Sequence, residues 1–457
     1  MTFDLARWQE RLDELRTTHH VPGATLAVLT DGTIHELASG ILHRGTGVVT
    51  TTDSVFQAGS IAKVYTATLV MQLVDAGELD LDTPVADVLL GFAVADAEAT
   101  KTITPRQLLS HTSGIGGDFT LDTGRGDDNL ARYVEAAKDV GQDSPPGTAA
   151  SYCSTGYAIL GRIVEVLTGQ TWDAALKDRL LTPLGLEHTM TLPEEALRFR
   201  TAMGHLGEPG TDPDPAPAWD PMPRSAGPYG RVLATAADVV RFARMHLDGG
   251  VAPDGTRLLT TEAAAAMRHR QVDTPDRWTF GTDGWGLGWA LYDWDGVPGY
   301  GHDGATIGQY AYLRVVPSAG VATVLLTNGG GAPQLSTALF QELLGELAGV
   351  RVPDAFAPPP QPPTVDIAPL TGTYRREGVD ITITEHNGIP RLRFELTGGA
   401  KDLSPPIEVD LVPVTETVFA APGSGAIKAD WVPVVFSTLP NGTRSVYFGM
   451  RAAPKVG

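Results

Sequence analysis

Apolar residues return every three or four positions at the start of the chain, at Leu5, Trp8, Leu12 and Leu15, which predicts a helix with one buried stripe. Two runs of strand-forming residues follow, 23–30 and 33–40, joined at Asp31-Gly32. That dipeptide suits a two-residue turn, so the pair predicts a β-hairpin. A long amphipathic helix is expected to start at Ser60, and a second helical run covers 158–168. Residues 310–316 alternate like a strand, and a further strand ends at Leu325-Leu326-Thr327-Asn328. Leucines 335, 339, 343, 344 and 347 then recur at helical spacing within 334–349.

Proline divides the chain. Residues 351–364 carry Pro353, Pro358, Pro359, Pro360, Pro362 and Pro363, the composition of a stiff extended linker, so the expected organisation is a first domain over 1–350, the linker 351–364 and a second domain over 365–457. In the second domain, β-like runs at 370–374, 379–384, 391–396, 407–414 and 445–450 alternate with glycine and proline turns. It shows no cluster of catalytic residue types, which reads as a lid, partner or substrate-binding module. An earlier proline-rich stretch, 210–230, interleaves Trp219 and Tyr229 and is either surface filler or the rim of a cleft. Tryptophans 278, 285, 289 and 294 either pack a sheet or line a pocket.

The 457 residues include 34 basic and 54 acidic side chains, a net charge of −20, and no basic concentration able to grip phosphates, so nucleic acid is excluded as a partner. A single cysteine, Cys153, rules out an intrachain disulfide. The first residues carry no basic segment followed by an apolar one, and no run of about 18 apolar residues occurs. The expectation is a cytoplasmic protein, without a membrane partner, acting on an intracellular metabolite. No cofactor and no metal are expected.

Candidate chemistry starts at Gly59-Ser60-Ile61-Ala62-Lys63. Three residues apart on a helix, the amine reaches the hydroxyl, and the helix N-terminus puts partial positive charge where an oxyanion would form. Serine attacks only when a neighbour takes its proton, and lysine does so only when burial or nearby cations depress its pKa. Ser151-Tyr152-Cys153-Ser154 opens the second helical run, and Gly301-His302-Asp303-Gly304-Ala305 leads into the alternating strand. Three motifs in this order are more specific than one. Singly, Ser60 reads as a helix cap, Tyr152 as a core aromatic and His302 as a structural histidine. His111 reads as a loop-fixing residue and Cys153 as a small buried filler.

With Leu108-Leu109-Ser110-His111-Thr112-Ser113-Gly114 and Pro183-Leu184-Gly185-Leu186 as further landmarks, the first three quarters of the chain resemble the serine β-lactamase and penicillin-binding-protein superfamily, in its class C and esterase-like branch. The resemblance implies an α/β fold: an antiparallel sheet with the first and last helices on one face and a helical subdomain on the other, followed by a small lipocalin-like β-barrel. It also implies that Ser60 is the acylated nucleophile, Lys63 its proton acceptor, Tyr152 a proton shuttle and His302 its neighbour, with a histidine-like titration of the rate near neutral pH. The amides of Ser60 and Ala305 would form the oxyanion hole, Gly304 would let the substrate carbonyl approach, and Ser154 and Asp303 would touch substrate. Ser154 stands where relatives usually carry asparagine. Asp303, if it faces the cleft, would favour a protonated imidazole or attract an ammonium group.

Two functional classes follow. In one, an acyl-enzyme on Ser60 passes an ester, amide, peptide or thioester acyl group to water or an amine; this class includes penicillin-binding-protein-type thioesterases that release and cyclise nonribosomal peptides from a carrier protein, cytosolic esterases and D-aminopeptidases. In the other, the fold is a catalytically silent binding protein.

Overall fold

The N-terminal stripe forms α1 (Leu5–Thr18), which Asp4 caps by accepting the Arg7 N–H, with Trp8, Leu12 and Leu15 buried. In the computed structural model, which describes residues 3–208, 210–398, 401, 405–423 and 430–457, the hairpin is β1 (Gly23–Thr30) and β2 (Thr33–His43). Asp31 and Gly32 turn it with φ of 49° and 73°. The sheet is completed by β3 (Val48–Val49), β4 (Gly284–Trp285), β5 (Ala290–Trp294), β6 (Val297–Thr306), β7 (Gln309–Val316) and β8 (Val321–Thr327), in the order β3-β2-β1-β8-β7-β6-β5-β4. All the pairings are antiparallel, and β1 meets β8 with Ala24 opposite Thr327, so segments from both ends of this domain share its centre.

One face packs on a helical region containing α2 (Ala62–Asp75), α3 (Ser154–Thr168) and α4 (Ala236–Leu247); the other packs on α1 and α5 (Ala332–Ala348). Helix α2 departs from the amphipathic expectation: 11 of its 14 residues are buried, because it runs between the sheet and the helical layer. Its threonine hydroxyls are satisfied internally, Thr66 donating to the Pro228 carbonyl at 2.7 Å and Thr68 to its own helix at Val64. Helix α3 starts four residues before the apolar run, since Cys153 Sγ accepts the Gly156 N–H at 3.3 Å and caps it. The single thiol is thus a buried cap.

Helix α5 ends at Gly349 in the left-handed conformation, and residues 350–366 form no helix or strand. They pack back on the first domain, with the Phe356 ring 5.0 Å from Trp278. The C-terminal region holds two antiparallel sheets, β9 (Gly372–Arg376), β10 (Val379–His386), β11 (Ile389–Leu396) and β12 (Ile407–Asp410), then β13 (Val412–Pro413), β14 (Val418–Pro422), β15 (Trp431–Thr438), β16 (Arg444–Phe448) and β17 (Arg451–Pro454). They enclose one apolar core that includes Tyr374, Ile381, Leu392, Phe419, Val434 and Val446. At one seam the chain crosses between sheets at Leu411; at the other, Thr373 N–H donates to Gly457 O and Val456 N–H to Thr373 O. Strands β14, β15 and β17 escape the period-two pattern because stretches such as 418–421 are buried on both faces. No described helix is long and apolar enough to cross a membrane.

His246 on α4 is fully buried against Phe242 and Trp289. Thr68 Oγ1 spends its proton on Val64 O, so His246 Nε2–H is the donor in the 3.0 Å contact between them. Burial, helped by Arg268, pushes this imidazole down to about 3. The folded state keeps it neutral while the unfolded chain binds a proton below about pH 6.5, so stability is complete above that value and falls as the medium is acidified. Between pH 7 and pH 5, thermal or denaturant unfolding should show the wild type losing about 2 kcal/mol more than His246→Gln; equal losses would contradict a neutral His246.

Candidate active site

Ser60 lies in a one-turn 3-10 helix, Gly59–Ile61, that leads into α2. Flanking strand contacts pin this turn: Phe56–Gln57 pair with Leu233–Ala234, Ala58 N–H donates to Val232 O, and Gln57 N–H donates to Gln309 Oε1. Two glycines then let it touch the sheet. Gly59 has φ +53°, and a Cβ there would sit 2.6 Å from Ala305 N; a Cβ on Gly304 would sit 2.0 Å from Ala58 O and 3.0 Å from Ser60 N. The amides of Ser60 and Ala305 therefore stand on two backbones in direct contact. Gly304 makes room for the serine turn, and not for a substrate carbonyl as expected.

Ser60 is no helix cap: its Oγ lies 3.2 Å from Lys63 Nζ, and the α2 cap makes no side-chain hydrogen bond. Lys63 is completely buried. Its amine donates to the Tyr229 carbonyl at 2.8 Å and lies 4.6, 5.7 and 5.5 Å from the ring centres of Tyr152, Tyr157 and Tyr229. Burial, reinforced by the charge of Arg451, holds its pKa well below the ordinary amine value. The second half of the proline-rich stretch is accordingly cleft wall, since Tyr229 supplies the carbonyl that holds the amine. Ser154 opens α3 with its N–H on Gly117 O, and among the described residues none hydrogen-bonds its hydroxyl.

Tyr152 is brought to the pair by two neighbours. His111, at φ +60°, accepts the Cys153 N–H on Nδ1 at 3.0 Å, and its ring lies 4.4 Å from that of Tyr152, which bears out a loop-fixing role. Trp285 stands edge-on at 5.9 Å. Burial raises the Tyr152 phenol far above its ordinary value, a contact with Ser60 opposing only in part, so it keeps its proton.

His302 is buried beside these rings, 5.5 Å from Trp285 and 6.4 Å from Tyr152. Its Nδ1 lies 2.6 Å from the Asp303 carbonyl, which can only accept, so Nδ1 carries the proton and Nε2 is a bare acceptor. Burial and then Lys63 push its pKa down to about 4. The expected titration near neutral pH is thereby corrected. Asp303 is corrected as well: it stands opposite Tyr312 on the face covered by α1 and α5, and Arg314 binds both of its carboxylate oxygens. A strand that points residues 302 and 304 at the cleft must point residue 303 away.

The residues missed in sequence come from the second domain. Tyr152 N–H donates to Met450 O at 3.0 Å, and Ala452 N–H donates to Ser151 Oγ at 3.2 Å. Between them, Arg451 places its guanidinium 5.3 Å from the Tyr152 ring centre, tied to Asp118 at 2.5 Å and to Gly449 O at 2.8 Å. Arg376 holds the other Asp118 oxygen at 2.8 Å. Nothing local in the sequence signals these residues, since no nearby motif surrounds them. Among the described residues no group of histidine, cysteine, aspartate or glutamate could hold a metal.

A serine paired with a buried lysine in this way on this sheet fits a serine β-lactamase-fold protein, and the family model "Beta-lactamase" matches residues 8–345. The chain belongs to that family, a family of serine hydrolases and acyltransferases. It is 74% identical to penicillin-binding protein 4 of Amycolatopsis lactamdurans over 378 residues, 83% of this chain and 99% of that one. It is 24% identical to the unguisins hydrolase ungD' of Aspergillus campestris over 96% of this chain and 88% of that one. Among solved structures, SurE superposes over 99% of both chains with a TM-score of 0.78 and 30% identity, and its complex with D-Leu with a TM-score of 0.75.

Substituting Gly304→Ala should drive strand β6 off the serine turn. Serine-directed labelling should slow by about 10²-fold or more, and a labelling rate within threefold of wild type would contradict the contact.

Proposed function

We propose that the protein is a serine acyltransferase-hydrolase that carries an acyl group on Ser60. The observation that carries this reading is the buried Lys63 amine 3.2 Å from the serine oxygen, held by a backbone carbonyl and hydrogen-bonded to no carboxylate among the described residues. Neutral Lys63 takes the Ser60 proton as Oγ bonds to the substrate carbonyl carbon. The oxyanion that forms is held by the Ser60 and Ala305 amides. On collapse, the bond to the leaving thiol, alcohol or amine breaks, Tyr152 gives that group a proton, and the Lys63 ammonium returns one to Tyr152. Water or an amine then attacks the acyl carbon by the reverse path and releases Ser60. His302 presents a bare Nε2 beside Tyr152 as an acceptor for a hydrogen bond formed during turnover, and Ser154 offers a hydroxyl to the substrate amide.

The acyl donor we infer is a peptidyl thioester, presented on a carrier protein, with cyclisation or hydrolysis as the outcome. Whole-chain likeness to SurE, a structure solved with D-Leu, and to an unguisins hydrolase supports a peptide with D-residues over a small ester. Expected chemistry is metal-free and cofactor-free, and the Tyr229 wall and the second domain frame the substrate.

Incubation with a fluorophosphonate, a β-lactam or an activated acyl thioester should add mass to the peptide containing Ser60, and Ser60→Ala and Lys63→Ala should each abolish it. No adduct from any of the three would favour a silent binding protein. A peptidyl thioester mimic should give a macrocycle in product analysis, whereas linear acid alone would leave hydrolysis as the activity.

A further inference from the structure

The second domain does more than cover the cleft. We propose that Arg451 is a positioning residue of the reaction centre, held by Asp118 over the Tyr152 ring, so that docking of the C-terminal domain completes the site. The proposal rests on the acyl-enzyme reading and adds to it which part of the chain makes Lys63 competent.

Three contacts converge on one turn. Met450 O takes the Tyr152 N–H, Ser151 Oγ takes the Ala452 N–H, and Arg451 between them projects over the same tyrosine. The guanidinium cannot swing freely, because Asp118 and the Gly449 carbonyl hold both of its terminal nitrogens. Asp118 is itself anchored by Arg376, a second residue of the C-terminal domain; Glu377 N–H adds a 2.8 Å bond to Asp143 and its carboxylate accepts the Gly141 N–H. The catalytic tyrosine and the arginine beside it are thus located by the same interdomain seam.

The effect reaches Lys63 through charge. The groups facing its amine are Ser60 on its own turn, Tyr152 and Cys153 before α3, Tyr157 on α3, Tyr229 on the proline-rich wall, His111 and His302 nearby, and Arg451 with Asp118 at the seam. Tyr152 keeps its proton and the two histidines are neutral, which leaves Arg451 as the cation and Asp118 as the anion. A fixed cation disfavours a second one close by, so Arg451 works with burial to keep the amine able to accept the Ser60 proton. Asp118 opposes this, but spends its charge on two guanidiniums.

The test compares full-length wild type, Arg451→Gln, Arg451→Lys and Arg376→Gln. With a chromogenic acyl thioester, Arg451→Gln should move the acid limb of the kcat/KM profile up by about one unit, so that the rate falls about tenfold on that limb and closes to within threefold on the plateau above it. Arg451→Lys should restore the limb. Arg376→Gln, which leaves Arg451 paired with Asp118 and over Tyr152, should lower the melting temperature and move the limb by less than about a third of a unit. Independently of turnover, the 13Cε resonance of Lys63, assigned with Lys63→Arg among seven lysines, should titrate about one unit higher in Arg451→Gln. A parallel fall at every pH, or an unmoved Lys63 titration, would overturn the role of Arg451. Wild type that leaves Ser60 unlabelled would instead overturn the acyl-enzyme reading, with the Lys63 titration still deciding for or against Arg451.

Discussion

An amine held away from water and hydrogen-bonded to a backbone carbonyl, with no carboxylate bonded to it among the described residues, is the condition on which this site rests. Had an aspartate or glutamate taken the place of the Tyr229 carbonyl, the pair would be ionised and Lys63 could not accept a proton from Ser60. A neutral carbonyl orients the amine and adds no negative charge. The surroundings follow from that requirement. Helix α2 must be enclosed on all sides, which takes the sheet on one flank and the helical layer on the other, and its threonine hydroxyls find partners inside, Thr66 on Pro228 and Thr68 on Val64.

Backbone contact supplies what side chains cannot. The Ser60 and Ala305 amides stand near each other only because the serine turn and strand β6 meet with no Cβ between them, and glycine stands at both points of closest approach. Gly59 adds a positive φ that a side chain would strain. Strand β6 pairs with β5 over 297–301 and with β7 over 300–306, so its position is fixed by ladders that run back through β7 and β8 to β1. The reacting groups are therefore located by elements several strands away.

Much of this was legible in sequence, for reasons that differ by element. The three-residue interval from Ser60 to Lys63, the Asp31-Gly32 turn and the leucine spacing of α5 are local signals read at their own periods. The first domain's layers followed from resemblance. Asp303 was misassigned although its neighbours carry the answer: with His302 and Gly304 on one face of a strand, period two sends residue 303 to the other, where Arg314 meets it. The hidden strands 418–422 and 431–438 lack alternation because both of their faces are buried in part. Arg451 lay beyond reach for another reason. It acts on Tyr152 across almost 300 positions, and no local pattern distinguishes it from any other arginine at a strand start.

The seam at Met450 ties the C-terminal sheets to the segment that carries Tyr152. Met450 has φ +71°, a left-handed conformation that costs a residue with a side chain on the order of 1 kcal/mol. Such a conformation persists where surrounding bonds over-determine it. Here they are the Tyr152 N–H on the Met450 carbonyl, the Ala452 N–H on Ser151, and the pairing of Arg451 with Phe448 across the turn. The same geometry leaves Arg451 pointing at the tyrosine ring. A turn that followed the ordinary right-handed path would lose the carbonyl contact and the arginine together, so the local strain and the placement of the cation have one cause.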